Sequence, residues 1–215
     1  MCVINQRFCK RLAFYVFAIV LLNLGIAISA KADIGIPPGG SIPFALSKIF
    51  PVFTMGVYTQ FYHVFCLLVQ LIVIKRVTVK LVLQIPLVYM CGLIIDVTLS
   101  VLTFTSYELA HSIVLLLIGL SLVAFAIAII IRVDLMLTPT DAMLCVLGQT
   151  AGWPMSKAKF AGDTVMVLSV MIFTSAMAGN PFLAVSIGTV ICWLLTGPAV
   201  GICQKLIACI DLSPR

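Results

Sequence analysis

Charged residues are scarce in this sequence. Of its 215 residues only 9% are Asp, Glu, Lys or Arg, whereas 63% are hydrophobic, and the mean hydropathy is +1.26. A soluble globular domain carries about a quarter charged residues, so that class of protein is excluded. Residues 12–30, 49–74 and 164–204 contain no charge at all, and each stretch is long enough for at least one bilayer-spanning helix of about 20 residues. The composition therefore predicts an all-α polytopic membrane protein.

Motifs that mark soluble or metal-dependent enzymes are also missing. The sequence has no P-loop, no HExxH, no GxSxG and no His/Cys cluster with metal-ligand spacing. Its eight cysteines form no CxxC pair and mostly fall in apolar segments, which is typical of free thiols. The 13 Lys and Arg residues give a net charge of +6 but are spread among loops, unlike a nucleic-acid-binding surface. We therefore expect no enzyme activity, no metal, no cofactor and no nucleic-acid partner. The expected surrounding is the lipid bilayer, and the sequence leaves open whether the protein forms a homodimer.

Six apolar segments are long enough to cross a bilayer as helices. They are residues 12–30, 52–74, 81–104, 112–131, 160–178 and 182–203. With a cytoplasmic N-terminus, eleven of the 13 Lys and Arg residues fall on the inner side, and only Lys31 and Lys48 fall outside. The positive-inside rule therefore predicts that both termini are cytoplasmic. The first segment also resembles a signal peptide, but its apolar stretch exceeds the usual length of about 7–15 residues.

The chain contains an internal duplication. A basic residue followed two positions later by Asp occurs at Lys31 and Asp33 and again, 101 residues on, at Arg132 and Asp134, each time with a proline five positions after the Asp. The same offset aligns span one with four, two with five and three with six. We therefore expect one membrane domain of two three-span repeats, residues 1–104 and 105–215. Because three is an odd number, the second repeat enters the membrane from the opposite side, an inverted topology found in many secondary transporters.

A short segment follows each basic–Asp signature. Residues 39–50 and 140–153 are too short to cross the bilayer and too apolar for a solvated loop. Each predicts either a re-entrant half-helix or an amphipathic helix lying at the membrane face. In the second segment we expect Asp141 to be the N-cap that satisfies backbone N–H groups at the helix start.

Acids inside predicted spans are candidate site residues, because an ionisable group costs roughly 2.5–3.5 kcal/mol to insert. Asp96 lies in the third span and Asp163 in the fifth. Asp163 either faces a substrate or pairs with Lys159, four positions earlier on the same helix. Asp96 either lines a site or makes an interhelical hydrogen bond that orients the third span.

A polar face runs along the second span. Gly56, Gln60, His63 and Gln70 lie at helical spacing, so they share one side of the helix. His63 either relays protons or contacts a substrate together with Gln60 and Gln70. The alternative is that His63 makes an interhelical hydrogen bond.

The two basic–Asp signatures are candidate site residues as well. Lys31 with Asp33, and Arg132 with Asp134, end the first and fourth spans on opposite sides of the membrane. They either snorkel to the interface and pair locally, or they form, with the prolines that follow, broken elements whose helix ends and charges meet a polar substrate. Their recurrence in both halves favours the second interpretation.

The stretch Gly-Ile-Ala-Ile-Ser-Ala-Lys-Ala-Asp-Ile-Gly-Ile-Pro-Pro at residues 25–38, with its looser repeat after Asp134, resembles the YczE/YyaS/YitT group of bacterial integral membrane proteins over essentially all six spans. The resemblance implies a small bacterial inner-membrane protein of a group usually described as transporters. It also implies an acid in the second half, which Asp141 matches, and a basic-then-acidic pattern, which Lys157, Lys159 and Asp163 match. The corresponding acid of the first half is absent, because two glycines follow the proline there.

The sequence is best explained by a secondary transporter of a small polar or charged metabolite, with its site between the repeats. The candidate substrate-binding residues are His63, Gln60, Asp96, Asp163, Lys31, Asp33, Arg132, Asp134 and Asp141. The alternative is a non-transporting accessory or scaffold protein, in which the same residues only fix helix packing. A polar, water-accessible cavity would favour transport, whereas a dry and fully packed bundle would favour the accessory role.

Overall fold

The computed structural model of the protein describes residues 2–103 and 108–209, and all of the regular secondary structure in these two ranges is helical. The elements in chain order are α1 (Cys2–Ala32), α2 (Pro38–Ile49), α3 (Met55–Ile74), α4 (Val79–Val101), α5 (Leu109–Val133), α6 (Pro139–Thr150), α7 (Met155–Ala178), α8 (Ile187–Leu206) and a short 3-10 helix, Ile207–Cys209. Six of these helices, α1, α3, α4, α5, α7 and α8, are long and apolar enough to cross a membrane. The prediction of an all-α, multi-pass membrane protein is confirmed.

The predicted spans differ from these helices mainly at their ends. The last one begins at Ile187, five residues later than expected, because residues 180–186 form a compact turn in which the Asn180 side chain accepts a hydrogen bond from the Phe182 N–H at 2.9 Å. The predicted end of the third span, Phe104, and the boundary between residues 104 and 105 lie outside the described residues.

The internal duplication is visible in the positions of helix ends. The last residues of α1 and α5, and both ends of α2 and α6, are separated by the same 101 residues. Asp33 and Asp134 both adopt the left-handed backbone conformation, with φ of 55° and 47°, directly after α1 and α5. Cys91 and Cys192, which the offset also pairs, are both buried, in α4 and α8 respectively. The two halves therefore follow one plan.

The two repeats run in opposite directions. Near the start of α1, the Arg11 guanidinium donates to the Val133 carbonyl at the end of α5, with an Nη2–O distance of 2.6 Å. At the other end of the same pair, Ala32 packs with Leu115 and Leu116, near the start of α5. The helices α1 and α5 are thus antiparallel. Around them, α2 packs against α7 just as α6 packs against α3, as expected for an inverted repeat.

The short helices α2 and α6 are re-entrant. The C-terminal part of α2 lies at the end of the bundle where Lys48 pairs with Asp33, which we call the Lys48 end. Its N-terminus, in contrast, lines an internal cavity shared with His63. The chain therefore dips into the bundle after α1 and returns to the same end through α2. The start of α6 lines the same cavity, and α6 leads back to the opposite end, which we call the Arg11 end.

The last two helices of each repeat pack differently. In the first repeat α3 and α4 are in close contact, because Gly56 and Gly92 face each other: a Cβ added at Gly92 would lie 2.6 Å from the Gly56 carbonyl oxygen. In the second repeat α7 and α8 touch at few positions. The residue equivalent to Gly92 is Trp193, whose ring stacks on Phe160 with centroids 5.2 Å apart. The bulky indole thus occupies the place where the other pair of helices approaches closely.

Candidate functional site

The separation of α7 from α8 leaves a large cavity of about 700 Å³ at the Arg11 end. Its wall is formed mainly by apolar residues of α5, α7, α8 and the loop before α6, including Ile127, Leu137 and Phe160. A second and smaller cavity, of about 70 Å³, lies deeper in the bundle between the starts of α2 and α6. The two cavities share Asp141, Lys159 and Asp163 as lining residues. A polar group can therefore reach the centre of the protein from the Arg11 end.

A charged cluster stands where the two cavities meet. The Lys159 ammonium lies 2.8 Å from a carboxylate oxygen of Asp141 on α6 and 3.2 Å from one of Asp163, one turn further along α7. The Lys159 side chain is 27% exposed, and the Asp141 and Asp163 side chains are 14% and 9% exposed. We call these three residues together with His63 the central cluster. With two carboxylates, one ammonium and a neutral imidazole, its formal charge is −1.

Asp141 is held by the start of α6. The helix is capped by Thr138, whose hydroxyl accepts a hydrogen bond from the Asp141 backbone N–H at 3.3 Å and donates to the Asp141 carboxylate at 3.0 Å. The expected N-cap was Asp141; that prediction is wrong, because Thr138 takes the cap position and Asp141 is the third helical residue. The Asp141 carboxylate therefore lies in the first turn of α6, close to the partial positive charge of the helix N-terminus.

The start of α2 faces the same small cavity from the other repeat. It consists of Pro37, Pro38, Gly39 and Gly40, all of which line the cavity, and no described side chain caps it. Gly40 is the residue that the repeat offset pairs with Asp141. The site is therefore asymmetric: both half-helices point their N-termini at the cavity, but only α6 brings a carboxylate.

His63 reaches the small cavity from α3. Its side chain is buried, with 8% of the residue exposed, and its Nδ1 atom has no hydrogen-bond partner among the residues that the structure describes. Buried polar atoms without a partner are uncommon. His63 therefore makes no interhelical hydrogen bond through Nδ1 to any residue that the structure describes.

The other polar residues on the same face of α3 serve helix packing. The Gln70 side chain exchanges amide hydrogen bonds with Gln84 of α4, with N–O distances of 3.2 and 3.3 Å, and also donates to the Pro139 carbonyl at 3.1 Å. Gln60 donates to the Tyr89 carbonyl at 3.3 Å. Gln60 therefore lies in the α3–α4 interface, away from both cavities, whereas Gln70 fixes the start of α6 where the central cluster is built.

Asp96 makes interhelical hydrogen bonds, which was the second of the two roles considered for it from the sequence. Its carboxylate accepts from the Thr54 hydroxyl at 2.6 Å and from the Gly56 backbone N–H at 2.8 Å. Both donors lie at the start of α3, where backbone N–H groups lack partners within the helix. Asp96 thus ties the end of α4 to the start of α3 at the Lys48 end and stands apart from the central cluster.

The two basic–Asp signatures are not brought together. Asp33 pairs with Lys48 at 2.6 Å on an exposed surface, and Lys31 lies nearby in the last turn of α1. At the opposite end, Arg132 donates to the Ala208 carbonyl at 2.6 Å. Of the four residues, Asp134 alone lines one of the two cavities described above, at the outer part of the large one.

Sequence reasoning missed several residues of the site. Lys159 was considered as a partner of Asp163 and as part of the basic-then-acidic pattern, but its contact with Asp141 on α6 was not predicted. Trp193 was not among the candidate site residues; it lines the large cavity, and its indole N–H has no hydrogen-bond partner among the described residues. Thr138 and Thr140, which flank the helix-start proline, line the small cavity. No pattern in the sequence distinguishes these threonines from ordinary helix caps.

The chain matches a known protein family. No curated protein and no solved structure matches the chain. Residues 9–205, which include all six candidate spans almost completely, match a family of unknown function, DUF6198. The match covers both repeats, both half-helices and the central cluster, and the chain therefore belongs to the DUF6198 family.

Proposed function

We propose that the protein is a secondary transporter of a small polar or charged metabolite and that the central cluster is its substrate site. One observation carries the proposal: a cavity leads from the Arg11 end to the central cluster, while the equivalent helices of the other repeat are packed together. The two repeats of an inverted duplication are thus in different conformations. In transporters of this kind, a fixed site near the midplane is exposed to each side in turn as the repeats move against each other.

The half-helices support the same proposal. Irregular backbone at membrane depth is tolerated only where it is buried in protein or lines a water-filled cavity. Here the irregular segments before α2 and α6 both lead to the small cavity, together with Asp141, Lys159 and His63. A protein that only docked a partner would have no need for buried charges that cost several kcal/mol to insert.

Transport is tested with the full-length protein reconstituted in liposomes. Charge movement or uptake is screened across small polar and charged metabolites, and a hit is repeated with Lys159→Gln and with Lys157→Gln. Lys157 is the matched control because it lies on the same helix, is exposed and packs over the Trp153 ring at 4.5 Å. We expect loss of flux with the first variant only. A screen without any flux, from protein that is folded and incorporated, contradicts transport and favours the accessory role.

Membrane orientation and location belong to the proposal too. We infer a bacterial inner-membrane protein with both termini in the cytoplasm, so that the large cavity opens inward; the resemblance to the YczE/YyaS/YitT group stays a prediction. In a cysteine-free background, a membrane-impermeant thiol reagent added to intact cells should label Lys48→Cys but not Thr78→Cys, in the loop between α3 and α4. The reverse pattern contradicts this orientation without affecting the transport proposal.

A further inference from the structure

We infer that the solute bound at the central cluster is an organic cation, an amine or guanidine that carries an apolar group. This inference rests on the proposed function, since it names the class of substrate for the same site. It is carried by three features of the two cavities: the charge of the cluster, an unpartnered buried imidazole, and an apolar chamber next to them.

The first feature is an unmatched negative charge. Asp141 and Asp163 share one cation, Lys159. Among the described residues, the other charged ones that line these two cavities are Lys80 and Asp134, which have opposite signs and lie at the outer part of the large cavity. Counted formally, two carboxylates therefore face a single ammonium. A buried charge without a partner is costly, and a cationic solute supplies the partner.

The second feature is His63. Its Nδ1 atom is unpartnered, and the residue is more than nine-tenths buried and lines the small cavity beside Asp141 and Asp163. A neutral imidazole that carries its proton on Nε2 accepts a hydrogen bond at Nδ1. Two carboxylates and this acceptor surround the same space, so the site offers acceptors to a group that brings several N–H donors. Amines and guanidines are such groups, and a guanidine can bind a carboxylate through two parallel hydrogen bonds.

The third feature is the chamber that continues from the cluster. The large cavity is lined mainly by apolar residues, and the stacked rings of Phe160 and Trp193 form part of its wall next to Lys159 and Asp163. A solute whose head lies at the carboxylates must place its remainder in this chamber. An apolar group fits there, and aromatic faces also attract a nearby cation.

Binding is measured with three matched probes that differ only in the head group. They are phenethylguanidinium, its neutral isostere phenethylurea and the anion 3-phenylpropionate. The guanidinium stays charged at any working pH, so it does not cross lipid as a free base. Trp193 lies in the cavity wall and serves as the fluorescence reporter in the Trp153→Phe background, which removes the other tryptophan of the chain.

We expect saturable fluorescence changes with phenethylguanidinium and at least about tenfold weaker binding of the other two probes, as for loss of one buried charge interaction. Asp163→Asn and Asp141→Asn should each weaken binding of the guanidinium by a similar factor, while Lys157→Gln should leave it unchanged. Thermal unfolding of each variant shows whether it is folded. If one Asp variant does not fold, the other provides the comparison.

Two outcomes overturn the inference: tighter binding of 3-phenylpropionate than of phenethylguanidinium, or equal binding of the guanidinium and the urea. Uptake of the labelled guanidinium and of the labelled anion into liposomes separates this inference from the proposed function. Uptake of the anion alone contradicts the cation inference and leaves transport standing. Binding of the guanidinium without uptake of any solute leaves the cation site standing and contradicts transport.

Discussion

The two halves of the chain share one order of helices but differ in where they bury charge. In the second half, Asp141, Lys159 and Asp163 converge next to the half-helix α6. The residues that the repeat offset pairs with them in the first half are Gly40, Tyr58 and Tyr62. The Tyr58 hydroxyl donates to the Phe50 carbonyl at 2.8 Å, and the Tyr62 hydroxyl contacts the Met166 sulfur at 3.4 Å. At these three positions the second half is charged, whereas the first half is neutral and its tyrosine hydroxyls have partners nearby.

The halves also differ in how their last two helices meet. Gly92 allows α3 and α4 to approach closely, and Asp96 then ties them together at the Lys48 end. The equivalent positions in α8 are Trp193 and Gly197, which offer a bulky ring and no carboxylate. The close packing of α3 against α4 and the separation of α7 from α8 are therefore both explained by the side chains at these positions. A duplicated fold can thus divide two tasks: the first half closes the bundle, and the second half supplies the charged residues of the central cluster.

Removal of the shared cation should have the largest effect. Lys159→Gln leaves two facing carboxylates without a partner, and we expect a loss of roughly 2–3 kcal/mol in the free energy of unfolding, at the lower end for buried ion pairs because Lys159 keeps 27% exposure. Thermal unfolding in detergent measures it. Lys157→Gln is the control; a similar loss in both variants would mean that the cluster contributes nothing specific.

The glycine contact between α3 and α4 is the next most sensitive point. Gly92→Ala places a Cβ 2.6 Å from the Gly56 carbonyl, which must move, and we expect a cost of about 1–3 kcal/mol. Gly201→Ala in α8 is the matched substitution, since a Cβ there meets no atom that the structure describes. Unfolding temperatures of the two variants compare the helix pairs directly. Equal stability would show that α3 and α4 are not packed this closely.

Asp96 should control access from the Lys48 end. Asp96→Ala removes two hydrogen bonds to the start of α3, which we expect to cost about 1–2 kcal/mol since charged acceptors contribute more than neutral ones. In a cysteine-free background, a cysteine at the buried Thr59 should then react faster with an impermeant reagent added from the Lys48 end. Ser100→Ala, which loses only a bond within α4, is the control. An unchanged reaction rate would argue against this role.

The surface pair should matter least. Asp33 and Lys48 form an ion pair with side chains that are 61% and 37% exposed, and exposed pairs contribute about 0–1 kcal/mol. Asp33→Asn should therefore change neither unfolding temperature nor uptake measurably. A strong transport defect in a variant of normal stability would indicate that Lys31 and Asp33 belong to the site after all.

Much of the fold could be predicted from residue order alone. The scarcity of charge determines the six spans, because an ionisable group is expensive inside a bilayer. The two basic–Asp signatures determine the duplication, and the odd number of spans determines that the halves are inverted. The segments that begin with a proline after these signatures were correctly predicted to be too short for full spans. The sequence left open whether they lie in the membrane or on its surface.

The candidate site could be predicted only in part. Asp141, Asp163 and His63 were named because polar groups in apolar segments stand out in a sequence. Asp33, Asp96 and Gln60 stand out equally, yet their partners are a surface lysine, a helix start and a backbone carbonyl. Whether a polar side chain meets a cavity or another polar group depends on residues far away in the chain.

The sequence by itself thus determined which segments lie in the membrane and that they form two inverted copies, because hydropathy and repeat spacing are local or periodic properties. Only the tertiary structure decided which copy carries the charged residues of the site. The side chain at one position of a helix pair, absent at Gly92 and an indole at Trp193, sets the distance between the two helices. In the second repeat that distance determines whether the space beside Lys159 is packed or open. Such a contact joins positions separated by a whole helix and a loop, so no local pattern announces it.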